Sequence, residues 1–148
     1  MTDDHLYEAF EQGMKTKYPE LCKNVAYEIG PGWYGLVAKL IGLIHNHVKS
    51  NNCYRERLQK RNDHNVPVPE YMEYPQIVQI KEKFGALRFY CDGGDQYING
   101  VIDMAESMST SICEQCGDVG HTRGGGWLVT LCDKHHQERL ERMNDSTY

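Results

Sequence analysis

Positive charge is in short supply in this sequence: 16 lysines and arginines stand against 21 aspartates and glutamates, a net charge of −5. That balance argues against a protein that coats nucleic acid non-specifically, since such a surface must be broadly cationic. Local basic patches stay open. Long apolar runs are also missing, so no segment approaches a membrane span of roughly 20 residues. The N-terminal stretch MTDDHLYEAF has neither the basic start nor the apolar core of a secretory signal, so the expected setting is a reducing cytoplasm. Repeats and low-complexity tracts are absent. So are the nucleophile elbow Gly-x-Ser-x-Gly, the zinc-protease His-Glu-x-x-His and the Gly-Lys-Ser/Thr ending of a phosphate loop. The glycine run Gly124-Gly125-Gly126 therefore reads as a hairpin tip. An enzyme is then expected only if its residues converge from distant segments.

Against this background the cysteines stand out. Cys113 and Cys116 are followed, after fifteen intervening residues, by Cys132 and His135. Two-residue gaps let both members of a pair converge on one ion, and thiolate with imidazole is the donor set zinc prefers in tetrahedral sites. A Cys3His zinc site is expected, with His136 or His121 as alternative fourth ligands. Four protein ligands leave no open position for water, and no glutamate is set beside a ligand histidine as in zinc hydrolases or deaminases, so the one zinc reads as structural. Gly117 follows the first pair where a sharp turn needs positive φ. Cys22, Cys53 and Cys91 have no such spacing and are expected as free thiols.

A chain of 148 residues with 40% apolar content supports one core and one domain, 1–148. Its expected parts are a helical region 1–61, a loop 62–70, a β-hairpin and helix over 71–110, and a finger subdomain over 111–143. The first helix starts after Asp3 or Asp4 as cap, carries Leu6, Phe10 and Met14, and stops at Tyr18-Pro19. The second starts near Pro31 and places Trp33, Leu36, Val37, Leu40, Ile44 and Val48 on one face. It continues or breaks around Ser50-Asn51-Asn52. In the hairpin, Val78, Ile80 and Glu82 share one face and Leu87, Phe89 and Cys91 the other strand's face, with Gly85 left-handed in the turn. Asp95 caps a helix with Ile98, Val101, Ile102, Ala105 and Met108. A knuckle, a hairpin and a helix with His136, Leu140 and Met143 at helical spacing complete the chain. The fold class is α+β: a small helical and β-hairpin body with a C-terminal treble-clef or zinc-ribbon-like finger. Trp33 is expected in the core, and Trp127 is expected to shield the metal, with an exposed anchor as the alternative.

Taken together, GPGWYGLVAKL, QIKEKFGALRFY, the MAES helix, ICEQCG and GWLVTLCDKH resemble an uncharacterised family of small zinc-binding proteins encoded by bacteriophages and prophages. The resemblance runs from the second helix to the last, except Asn51 to Pro69. It implies a genome context, a protein made in an infected bacterium among accessory genes, and no mechanism.

For partner contacts the candidates are Lys81, Lys83, Arg88 and Tyr90, which alternate outward on the hairpin, and Arg123 on the finger tip. The alternative is a solvated strand face, since exposed edges commonly carry lysines. Lys49, Arg55, Arg57, Lys60 and Arg61 form a second basic run that a charged helix end explains equally well. The expected function is binding a host protein or a nucleic acid in a host-takeover or anti-defence role. A metal-dependent nuclease on a treble-clef finger and a sequestering protein for a small nucleotide signal are the alternatives.

Overall fold

The computed structural model describes residues 3–146. In chain order it contains α1 (Asp3–Lys17), β1 (Ala26–Glu28), a 3-10 turn (Pro31–Trp33) running into α2 (Tyr34–Arg61), β2 (Gln76–Lys83), β3 (Ala86–Asp92), α3 (Gln96–Ser109), β4 (His121–Arg123), β5 (Val129–Leu131) and α4 (Asp133–Asp145). This is the expected α+β class, with the finger at its C-terminal end.

Asp3 and Asp4 lie inside the first turn of α1 and not at its cap, where their charges favour the helix N-terminus. The position that would precede Asp3 lies outside the described residues. Phe10 of α1 stacks on Tyr34 at 4.3 Å and meets Tyr27 edge-on at 5.2 Å, which fixes α1 over the start of α2. The long α2 passes Ser50-Asn51-Asn52 without a break and ends at Asn62, which takes the left-handed conformation that stops a helix. Asn52 spends its side chain on holding the following loop, accepting from Met72 N–H and donating to Met72 O, both at 2.9 Å.

Strands order as β1-β2-β3, with β1 parallel to β2 and β2 antiparallel to β3. The β2–β3 turn is Phe84-Gly85, both at positive φ (54° and 79°), as a two-residue hairpin with right-handed twist requires. One expectation for β2 fails. Its register slips between Ile77 and Gln79, so Val78 is the extra residue of a bulge. Val78 therefore stands 50% exposed, while Ile77 and Ile80, three apart, both reach the core.

Trp33, Val37, Ile41, Ile44 and Val48 of the second helix share one core with Tyr27, Ile80, Leu87, Phe89 and Ile98. On α3, Met108 is 45% exposed and leaves that core. Asp95 caps α3 through Ile98 N–H at 3.0 Å, and its other oxygen meets His47 Nε2 at 2.7 Å, tying α2 to the start of α3. Along the outer side of β3, Leu87 N–H donates to Ser109 Oγ and Phe89 N–H to Glu106 Oε1, so α3 satisfies that edge with side chains.

Candidate metal centre

The first knuckle is a tight loop between Ile112 and Val119, which form an isolated antiparallel bridge. Cys113 N–H donates to Asp118 O at 2.7 Å and Gly117 N–H to Cys113 O at 2.9 Å, while Gly117 sits at φ 84° as expected. The second pair uses a helix start. Cys132 is the N-cap of α4, with His136 N–H donating to its carbonyl at 2.9 Å. His135 is the third residue of α4, and N-cap and N3 side chains lie on the same side of a helix terminus. A Cys-x-x-His run at that point aims both ligands at one spot.

Cys113, Cys116, Cys132 and His135 bring their ligand atoms within 4.8 Å of one another, a group able to hold a metal ion. Sγ of Cys116 and Cys132 are 3.8 Å apart, and His135 Nδ1 lies 3.5 Å from Cys113 Sγ and 3.2 Å from Cys132 Sγ. All six cysteines are free thiols. Nδ1 is thus the donor atom of His135, and its Nε2 faces Glu138 Oε2 at 4.0 Å. Neither His121 nor His136 belongs to the group.

The thiols influence one another. Burial opposes ionisation of Cys113, but backbone amides around Cys132, Cys116 and Gln115 outweigh it and lower the thiol to about 6. For Cys116 the Asp118 amide favours the thiolate, yet burial, the neighbouring thiols and the Cys113 charge prevail and push it up to about 12. Crowded thiolates repel one another, and a bound dication removes that repulsion.

A second feature, missed from sequence, is the joint that holds this knuckle to the body. Gly32 N–H donates to Glu114 O at 2.7 Å, Gly30 N–H to Glu114 Oε1 at 2.9 Å, and Trp33 Nε1–H to Ile112 O at 2.8 Å. A Cβ at Gly32 would sit 2.1 Å from Cys113 O, so backbone meets backbone there and only glycine fits. Burial raises the Glu114 carboxyl above its ordinary value, against the favourable Gly30 amide. The signal was present in the sequence: glycines on both sides of Pro31, just before a tryptophan, mark a close approach. A second joint forms where buried Thr130 donates its hydroxyl to Gly85 O at 2.5 Å, seating the body hairpin's turn on β5.

Of the partner-contact candidates, four gather on one surface. Lys81 and Arg88 are cross-strand neighbours, and Lys81 Nζ lies 5.9 Å from the centre of the Tyr90 ring. Lys83 Nζ lies 5.4 Å from the ring of Phe84. Arg88 also pairs with Glu106 at 3.7 Å, which reduces the face's positive charge. Arg123 is elsewhere, on the finger, where it donates to Asp133 Oδ1 at 2.6 Å and Leu131 O at 3.2 Å and clamps the hairpin to α4. In the second basic run, Arg55 donates to Pro69 O at 2.7 Å and anchors the loop. Trp127 does not shield the metal: it is 72% exposed at the end of the glycine tip, and its carbonyl accepts from Arg139 at 2.6 Å. Leu140 and Met143 keep their helical spacing, but α4 buries no side chain.

Knuckle, hairpin, then a helix that supplies the last side chain is compatible with a treble-clef or zinc-ribbon-like finger, so the chain is an α+β protein whose C-terminal Cys113, Cys116, Cys132 and His135 could hold a metal ion. The sequence matches no family model, no curated protein and no solved structure.

Proposed function

We propose that this protein acts by binding, with a zinc-stapled finger fixed to a helical and β-hairpin body that together occlude a surface of a host protein or a nucleic acid. The bacteriophage accessory proteins that the sequence resembles supply the context, a host-takeover or anti-defence role in a bacterial cytoplasm. The observation that carries the reading is the set of large apolar side chains left on the surface. Val119 is 76% exposed, Trp127 72%, Phe84 67% and Met104 64%. A protein partner would cover such side chains, and they favour a protein over a nucleic acid as partner.

The metal supports this reading as a staple. Tetrahedral zinc with sulfur at about 2.3 Å and nitrogen at about 2.0 Å spaces its ligand atoms roughly 3.5–3.8 Å apart. The spacings of 3.5 and 3.8 Å fit that ion, and the 3.2 Å between His135 Nδ1 and Cys132 Sγ is a few tenths of an ångström short of it. Zinc held there by four protein side chains has no position for a reacting water. A nuclease would need a further metal site, whereas among the described residues this is the one group of its kind.

The test is affinity capture from bacterial lysate with purified zinc-loaded protein, beside an assay for DNA and RNA cleavage with added divalent cations. Recovery of a specific partner supports the reading. Cleavage without any captured partner overturns it.

A further inference from the structure

We propose that the apolar groove between α2 and α3 is a docking site for an amphipathic helix of a partner protein, with carboxylates along the flank that meets Lys39. This deepens the binding reading above and rests on it. The two helices run antiparallel, since His47 meets Asp95 near one end and Trp33 meets Ile112 near the other. Between those ties, Leu36, Leu40 and Leu43 on α2 and Val101, Met104 and Met108 on α3 line a groove of about 610 Å³. Spacings of three and four residues on both walls make two apolar stripes, the surface into which a third helix packs its own stripe. Methionine walls adapt to such a partner because the side chain is unbranched and polarizable.

Three features select this occupant. The first is charge: the groove and the adjoining cleft along α2 are lined by Lys39 and Lys17 and by no carboxylate. In a chain with more acid than base this is a local reversal, and it complements an acidic flank. A second copy fits poorly, because two-fold pairing sets this face against itself, and it offers those lysines no carboxylate. The second is the open wall. Leu43 is 46% exposed, Met104 64% and Met108 45%, so a lipid tail laid there would keep one side in water, whereas small-ligand pockets bury most of their occupant.

The third is the ridge between the groove and the adjoining cleft. Gly35 lies within α2, where alanine is the better helix former, and a Cβ built on it meets nothing within 4 Å. Among the described residues no contact requires that glycine, and its absence of side chain lets another backbone come close. Ile112 and Gly117 of the metal knuckle close the end of the groove, so the bound metal shapes one boundary of the docking surface.

The experiment selects helical peptides of about four turns from a displayed library on the zinc-loaded protein. Binders should carry apolar residues at three-and-four spacing with acidic residues on one flank. Lys39→Glu should weaken them by roughly tenfold. Gly35→Leu, which sets a bulky side chain on the ridge that an incoming helix must approach, should abolish binding while its thermal midpoint stays at or above that of the parent. Failure to select any such helix, or selected helices that bind Gly35→Leu and Lys39→Glu like the parent, overturns the proposal. So does a dimer, or binding of decanoate as a lipid probe, that Gly35→Leu removes while helices do not bind. Capture from lysate separates the two readings. If Gly35→Leu retains the parent's partner at full yield, the groove is not the docking site and the binding function stands; if neither protein captures a partner and nucleic acid is cleaved, both readings fall.

Discussion

Gly32 and Gly35 are three residues apart, and substitution to alanine should move stability in opposite directions. At Gly32 the added Cβ would lie 2.1 Å from Cys113 O, 2.6 Å from the Glu114 carbonyl carbon and 2.6 Å from Gly117 N. All three are backbone atoms of the metal knuckle, so no side chain can swing aside and the two segments must separate. Separation breaks the hydrogen bonds from Gly32, Gly30 and Trp33 to Glu114 and Ile112. At about 1 kcal/mol net for each bond the loss is about 3 kcal/mol, a large part of the 5–15 kcal/mol that holds a typical domain. The thermal midpoint should fall by about 6–12 °C. Zinc affinity should fall with it, because the knuckle that binds the ion is the part set loose. At Gly35 a Cβ meets nothing, so alanine should stabilise by up to about 1 kcal/mol through helix propensity. Urea titration of the two zinc-loaded variants, with competitive zinc titration, measures both effects. An unchanged midpoint and zinc affinity for Gly32→Ala would refute the backbone joint.

Metal analysis of the purified protein should give one zinc per chain, lost in Cys113→Ser/Cys116→Ser together with ordered finger resonances in NMR spectra; a finger that stays ordered without metal would contradict the staple. Thr130→Val keeps the shape but removes the buried donor to Gly85 O, and should cost about 1–3 kcal/mol in denaturant titration because the carbonyl is left unpaired. Asp95→Ala should cost about 1 kcal/mol at neutral pH through the lost cap of α3. Burial opposes ionisation of Asp95, but His47 and the Ile98 amide outweigh it and hold the carboxyl below its ordinary value. Its contribution is therefore complete above about pH 4, where the unfolded carboxyl titrates, and is lost as pH falls through the lowered folded value. Thermal melts of parent and variant between neutral and acidic pH should converge at the acidic end, and a gap that widens there would refute the assignment.

The grouping of Cys113, Cys116, Cys132 and His135 was legible because the convergence of such side chains is written in local spacing. Two residues between Cys113 and Cys116, and two between Cys132 and His135, suffice to aim each pair. Gly85, Gly117 and the Asp95 cap were legible for the same reason, each answering a demand of its immediate backbone. What escaped was set by partners far along the chain. Ala26–Glu28 is too short to alternate and is a strand only because β2 lies beside it. The bulge at Val78 converts a regular alternation into Ile77 and Ile80 sharing a face, and the separation of three was its only trace. Trp127 was misjudged because an indole next to a metal pattern shields it only if the hairpin folds back, and the Gly124-Gly125-Gly126 tip instead holds it outward. Arg123 read as a free tip cation until Asp133, at the first position of α4, was brought against it.

The outer side of β3 sets how this molecule behaves in a crowded solution. An incoming strand extends a sheet by capturing the unpaired amides along its rim, and at Leu87 and Phe89 those amides are already spent on Ser109 and Glu106. The opposite rim belongs to β1, only three residues long. Neither border of this sheet presents a long row of unpaired groups as a template for cross-strand growth.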